Sequence, residues 1–239
     1  RRCKRSKRGT AEFECRDIEE LLILSKSLLQ GKLQPDPLDA FYIYEPKKRL
    51  IQAPTFRDKV VQHALTDYIV YAELSRSFTL NTYAAQYGKG THYGLEMLEK
   101  HMRRHFLQKK GADEAERRTA GLPPRPMEEW DYAKGAVIKG DIRHFFQSID
   151  HDRLKAALAA RFPDPRLQTL MWRYIDAVDG GLALGHQTSH IYAVFFVHSI
   201  MHFVGEKLHL PLAGMYMDDW YVICSDMGAA REALKLIRA

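Results

Sequence analysis

The stretch Pro211-Leu212-Ala213-Gly214-Met215-Tyr216-Met217-Asp218-Asp219-Trp220-Tyr221-Val222-Ile223-Cys224 decides the fold. Two apolar runs, Pro211–Tyr216 and Trp220–Cys224, flank a short tip at Met217-Asp218-Asp219, which predicts a β-hairpin. Aspartate is a favoured turn residue, so one Asp at such a tip is accounted for by the turn itself. Two adjacent carboxylates are a different matter. They repel each other, and both stay ionised most easily when a cation bridges them.

Upstream, Ala136-Val137-Ile138 predicts a strand that feeds Lys139-Gly140-Asp141, with Ile142 and the pair Phe145-Phe146 following. A strand-end Asp together with a hairpin-tip Asp pair is the donor set of a two-metal site. Two Mg²⁺ ions roughly 3.5–4 Å apart can activate a hydroxyl nucleophile and stabilise a leaving pyrophosphate. Mg²⁺ suits such a site because it accepts carboxylates, waters and substrate phosphates together. Asp150 fits a helix N-cap better than a metal ligand, and Asp152 a first-turn acid.

The remaining pattern is mixed helix and strand. Asp17 is placed to cap a helix through Leu21, Leu24 and Leu28 that Gly31 ends. Phe41–Tyr44 and Leu50–Ala53, separated by Glu45-Pro46-Lys47-Lys48-Arg49, predict a second hairpin, and a helix follows from Asp58 to about Glu73. Another helix starts near Thr91. Residues Lys109 to Met127 are polar and carry Gly111, Gly121 and three prolines, which predicts a linker without a core of its own. Helices are expected from Asp150 to Phe162, Arg166 to Val178, Gln187 to Leu208 and from Gly228 on.

The chain has 239 residues, 46% hydrophobic and 28% charged, which suits one large or two small globular domains and excludes a disordered chain. With 36 Lys and Arg against 30 Asp and Glu, the net charge is +6. The pI of about 9.1 suits a nucleic-acid binder and equally a mildly basic soluble protein. Cys3, Cys15 and Cys224 form no CxxC, so a reduced, cytoplasmic setting is expected. The basic stretch Arg1–Thr10 lacks the apolar core of a signal peptide, and the apolar run Ile191–Val204 is too short to span a bilayer. No GxSxG or HExxH occurs, so serine-hydrolase and zinc-protease chemistry have no support.

Several segments together resemble the reverse transcriptases of bacterial retroelements. Lys139-Gly140-Asp141-Ile142-Arg143-His144-Phe145-Phe146-Gln147-Ser148-Ile149-Asp150-His151 resembles their first palm motif, and Tyr216-Met217-Asp218-Asp219 their YxDD box. Leu182-Ala183-Leu184-Gly185-His186-Gln187-Thr188-Ser189-His190 resembles the motif between these two. Upstream, Arg49-Leu50-Ile51-Gln52-Ala53-Pro54-Thr55-Phe56-Arg57-Asp58-Lys59-Val60-Val61-Gln62 and Gln86-Tyr87-Gly88-Lys89-Gly90-Thr91-His92 are similar to fingers segments of group II intron-type enzymes. The order along the chain is the family's, and the likeness spans roughly residues 40 to 225, excluding the polar linker.

The resemblance implies an α+β fold with the fingers and palm of a right-hand polymerase, an antiparallel palm sheet backed by helices, and an absent or truncated thumb. It divides the chain into a basic arm and helix (1–40), fingers with a polar insertion at about 109–129 (41–135), and palm (136–239). It implies an RNA-directed DNA polymerase that joins dNTPs to a primer 3′-hydroxyl. The expected cofactor is two Mg²⁺ ions, with Mn²⁺ as a substitute. The expected partners are an RNA template, a DNA or RNA primer and dNTPs, with room for an accessory protein or structured RNA and no membrane. The alternatives are a related palm polymerase with other template habits, or an RNA-binding, maturase-type module with a vestigial site.

By residue, the resemblance gives metal binding and catalysis to Asp141, Asp218 and Asp219, with the Ile142 carbonyl assisting. It gives nucleotide contacts to Lys48, Arg49, Phe146, Leu184, Gly185 and Gln187, with Phe146 under the incoming sugar, where a bulky ring clashes with a 2′-hydroxyl. Phe145 is expected in the core. Arg57, Lys89, Ser189, Tyr216 and Met217 fall to template and primer.

The chain departs from the commonest pattern of these enzymes at two positions. Leu184 stands where many have Gln, and Ser189-His190 where Ser-Pro is frequent; an aliphatic residue before the Gly is similar to diversity-generating retroelement enzymes. Leu184 offers no hydrogen bond beside the nascent base pair, which implies weaker base discrimination. Leu184→Gln should then narrow the error spectrum of RNA copying; sequencing of products with an unchanged spectrum would count against this.

Overall fold

The computed structural model describes residues 8–131 and 135–238. Residues 1–7 of the basic arm, Cys3 among them, lie outside these. The chain divides into two compact units, 1–77 with 144–196 and 78–143 with 197–239.

The first unit opens with helices α1 (Arg8–Cys15) and α2 (Asp17–Leu29). Asp17 is the first residue of α2 and not its cap, because α1 ends only two residues earlier and Arg16 takes the boundary position, bonded to Glu19 at 2.8 Å. Gly31, at φ +64, turns the chain as expected, with Lys32 N–H bonded to the Ser27 carbonyl. The hairpin of β1 (Asp39–Ile43) and β2 (Arg49–Ala53) follows, in register Tyr42↔Leu50 and Ile43↔Arg49. Helix α3 (Phe56–Leu65) continues through a π-helical turn (Thr66–Val70) into α4 (Tyr71–Leu74). The core joins Phe13, Leu24, Leu33, Val61 and Tyr174, with Phe56, Val60 and Leu170 packed against it.

One polar knot sits in this core. Asp58 is fully buried; its carboxylate accepts from the Asp36 N–H (2.7 Å) and the Tyr174 hydroxyl (3.0 Å). Burial raises its pKa, against those hydrogen bonds. Thr55 and Arg57 both bond Asp36. The carboxylate thereby ties the chain before β1 to α3 and to α7 (Pro165–Ile175). Helix α6 (His151–Ala159) starts at Asp150, whose side chain accepts from the Arg153 N–H at 2.8 Å, as expected of an N-cap.

The second unit holds α5 (Thr91–Thr119), an antiparallel sheet of β3 (Ala136–Gly140), β4 (Ala213–Tyr216) and β5 (Asp219–Cys224), and α9 (Met227–Arg238). The strand order is β3-β5-β4. Helix α8 (Gln187–His202) starts in the first unit and ends in the second.

The linker expected at Lys109–Met127 is largely helix, because α5 runs unbroken to Thr119. The stretch is polar, but Lys, Gln, Ala, Glu and Arg are strong helix formers, and the single Gly111 costs only about 1 kcal/mol. The returning segment packs back on the helix. Arg125 forks onto Asp113 at 2.6 Å, and Trp130 meets Phe106 edge-on at 5.7 Å.

Helix α5 packs against β4 and β5, and α9 against β3 and β5. Behind the hairpin the Tyr83 and Tyr221 hydroxyls lie 3.0 Å apart, and Tyr221 reaches His101 Nδ1 at 3.1 Å. Gly214 makes this possible, since a Cβ there would lie 2.4 Å from the Tyr83 hydroxyl and 2.7 Å from the Tyr221 ring. Gly214→Ala is therefore expected to destabilise the chain by about 1–3 kcal/mol, the usual cost of overpacking. Urea denaturation measures it, and an unchanged midpoint would show that the tyrosines yield freely.

Candidate active site

Local backbone geometry brings the carboxylates together. Tyr216 pairs with Asp219, leaving Met217 and Asp218 as a two-residue connection between β4 and β5. Met217 has φ +54, a conformation that glycine normally supplies. A non-glycine there costs on the order of 1–3 kcal/mol, and such strain gathers at functional sites. The Asp218 carbonyl accepts the Ile142 N–H at 3.2 Å, so the loop leaving β3 is tied to the hairpin tip. Gly140 permits close approach: it faces Trp220 across the ladder, and a Cβ there would lie 2.1 Å from the indole.

The Asp218 pKa is raised, by burial most and then by the neighbouring Asp141 and Asp219 carboxylates, against one backbone hydrogen bond. Asp219 is more exposed and faces the Lys139 ammonium at 3.7 Å. Among the described residues, no three His, Cys, Asp or Glu side chains are gathered closely enough to hold a metal ion. The donor chemistry still fits a hard divalent cation. Asp218 is half-buried, Asp141 and Asp219 are exposed beside it, and all three offer carboxylate oxygens. A groove of about 800 Å³, lined in part by Asp141, Ile142, Trp220 and Phe203, opens beside Asp141.

The other expected site residues in the first unit fall into two groups. Phe146 is half-buried and its carbonyl accepts the Leu182 N–H at 2.7 Å; Phe145 is core, as expected. The Leu184 carbonyl accepts the Gln52 N–H at 3.1 Å, and Gly185, at φ +138, lies so near β2 that a Cβ would meet the Gln52 carbonyl at 2.8 Å. Gln187 begins α8, and its N–H is accepted by the buried Gln62 side chain at 2.8 Å. Leu184 and Gly185 thus lie along β2, the strand that begins at Arg49, while Gln187 is fastened to α3. Gln62 and Lys139 escaped the sequence reading. The signals for them were a polar side chain on the apolar face of a helix, and a lysine on the same strand face as the Asp pair.

Three expected template contacts have other duties. The Lys89 ammonium donates to the Thr79, Leu80 and Thr82 carbonyls at 3.0–3.3 Å, and burial lowers its pKa. Its protons brace a loop. Arg57 is paired with Asp36, and Ser189 is only 2% exposed. Each was read from motif position alone, which says nothing of burial. Tyr216 remains open, 38% exposed. His186 is buried, with its pKa lowered to about 4 by desolvation, which makes it a neutral core residue.

With this geometry in hand, likenesses to known proteins become informative. No known family profile matches the chain. YkfC of Escherichia coli K12 is 29% identical over 174 residues, 71% of this chain. Among solved structures, telomerase from Candida albicans in complex with a fragment of telomeric RNA superposes with a TM-score of 0.59 at 9% identity over 94% of this chain. Apo telomerase from Candida tropicalis does so with 0.52 at 14% over 86%. The chain has a reverse transcriptase-like fold. It spans 39% of the length of YkfC and 44% and 42% of the two telomerases. The expected mixture of helices with small antiparallel sheets is the one observed. No described helix is long and apolar enough to cross a membrane.

The Asp218 carboxyl makes the site's electrostatics measurable. Its folded pKa lies above the ordinary 3.8, so the unfolded chain releases this proton first as pH rises. In EDTA, stability should fall as pH climbs from about the ordinary carboxylate value through the raised one. Asp218→Asn should remove this group's share of that slope and leave the share of Asp58, whose pKa is also raised. Mg²⁺ should raise the neutral-pH melting temperature of the wild type and leave the variant unmoved, and equal Mg²⁺ responses would argue against a cation at this spot.

Proposed function

We propose that the chain carries the fingers and palm of an RNA-directed DNA polymerase, with Asp141, Asp218 and Asp219 as its catalytic carboxylates. The observation that carries this reading is the hydrogen bond from Ile142 N–H, next to Asp141, to the Asp218 carbonyl at the tip of a strained hairpin in a reverse transcriptase-like fold. When bound, two Mg²⁺ ions at these carboxylates and the Ile142 carbonyl would lower the pKa of a primer 3′-hydroxyl and neutralise the leaving pyrophosphate.

The chain's own side chains then position the reactants. Arg49, exposed on β2, offers a planar fork to a triphosphate. Gly185 lets the nascent base pair approach the backbone, and Leu184 and Gln187 flank it. The Phe146 ring fits a selector of deoxy sugars. Tyr216 and Met217 stand at the primer end of the hairpin. Little covalent work falls to protein groups, because phosphoryl transfer is dominated by positioning and charge neutralisation. An RNA template accords with the net charge of +6 and with the telomerase likeness.

Primer extension on poly(rA) with oligo(dT), Mg²⁺ and dTTP tests the proposal. Extension should occur and should fall at least a hundredfold in Asp141→Ala and in Asp218→Ala/Asp219→Ala, the order of loss when electrostatic stabilisation of a transition state is removed. Equal extension by the wild type and Asp141→Ala would contradict the assignment.

A further inference from the structure

Helix α2 turns an apolar face to solvent. Ile18, Leu22 and Leu29 are 73%, 66% and 82% exposed, and Leu21 and Leu28 beside them are exposed as well. Leu24 alone among the helix residues is buried. Scattered surface leucines are ordinary, but a contiguous apolar patch of several hundred Å² is uncommon on a monomer and marks a contact surface. The spacing is that of a helix-pairing seam. Leu22 and Leu29 are seven residues apart, as are Ile18 and Ser25, and the two pairs interleave at steps of four and three. Leu21 and Leu28 widen one side of the seam, and Glu19 and Lys26, again seven apart, flank the other. At the C-terminal end the face runs on into a groove of about 420 Å³ between α2 and α7, lined in part by Leu28, Leu29, Leu167 and Leu170.

We propose that this face is a self-association surface, on which α2 of a second copy of the chain packs antiparallel across a two-fold axis. Charge selects the occupant and its direction. The first turn of α2 is acidic, with Asp17, Glu19 and Glu20, and the last turn carries Lys26. An antiparallel pair seats Leu22 opposite the second copy's Ser25, and Ile18 opposite its Leu29. That register brings Glu19 beside the second copy's Lys26, and the two-fold axis repeats the contact. Arg16 already holds Glu19 within the chain at 2.8 Å, and a carboxylate has lone pairs enough to accept both cations. A parallel pair would instead bring the acidic turns together, and with them the like ends of the helix dipoles. The small Ser25 near the axis lets the two helices approach. Two such faces with the groove margins cover on the order of 1,000 Å², the lower limit for a specific interface, so the dimer is expected to be reversible. The proposal is independent of the polymerase reading.

Sedimentation equilibrium of the full chain across micromolar concentrations tests it. The wild type should pass from monomer to dimer. Leu22→Glu sets a charge in the seam and should weaken association at least tenfold. Glu19→Lys and Lys26→Glu should each weaken it about fivefold or more, because two attractions become two repulsions. The double variant Glu19→Lys/Lys26→Glu should recover the affinity of the wild type. All three positions are exposed, and thermal melts establish that each variant is folded. A monomer at every concentration, as when another protein covers the face, or a dimer indifferent to Leu22→Glu would overturn the proposal. A double variant no tighter than the single ones would overturn the antiparallel arrangement. Asp218→Ala/Asp219→Ala should dimerise like the wild type, so failure of the carboxylate assignment registers in a different assay.

Discussion

Carboxylates that would repel in water are held together at the β3–β5 end of the small sheet, and that constraint organises the second unit. The hydrogen bond from Ile142 N–H to the Asp218 carbonyl fixes the β3 exit against the hairpin tip. Met217 adopts a backbone that its side chain disfavours so that the tip can close in two residues. Gly140 and Gly214 clear space for Trp220 on one face and for the Tyr83–Tyr221 pair on the other. Each feature has a local cost. Together they close the hairpin tip against the exit of β3.

The first unit solves a different problem, the location of a loop relative to a strand. Leu184 and Gly185 lie along β2 through backbone contact at Gln52, and Gln62 fastens the first N–H of α8. Behind them, buried Asp58 ties α3, α7 and the segment before β1 into one body. Buried charge is costly unless it is hydrogen-bonded, and its two strong donors here explain why an aspartate persists in an apolar core.

Much of this was legible in the sequence because alternation and turn chemistry are local. The hairpin at 211–224, the strand at 136–138, the cap at Asp150 and the turn at Gly31 all follow from a few adjacent residues. The length of α5 was not legible, since a polar stretch with prolines beyond it signals a linker, while helix propensity and the return contact of Arg125 decide otherwise. The fates of Lys89, Arg57 and Ser189 were also hidden. A motif gives a residue's position along the chain, whereas its availability to a ligand depends on carbonyls and carboxylates that folding brings from elsewhere. Lys48 shows the same limit, since its partners Tyr42 and Tyr44 lie across the turn.

The central claim is that the carboxylates of the hairpin and of β3 hold the catalytic cations. The most direct measurement replaces Mg²⁺ by Fe²⁺ and maps where the polypeptide is cut by hydroxyl radicals generated at the bound ion. The account predicts cuts confined to the neighbourhoods of Asp141 and of Met217–Asp219, abolished by excess Mg²⁺ and by Asp218→Asn. Cuts clustered elsewhere, or a pattern indifferent to Asp218→Asn, would contradict it.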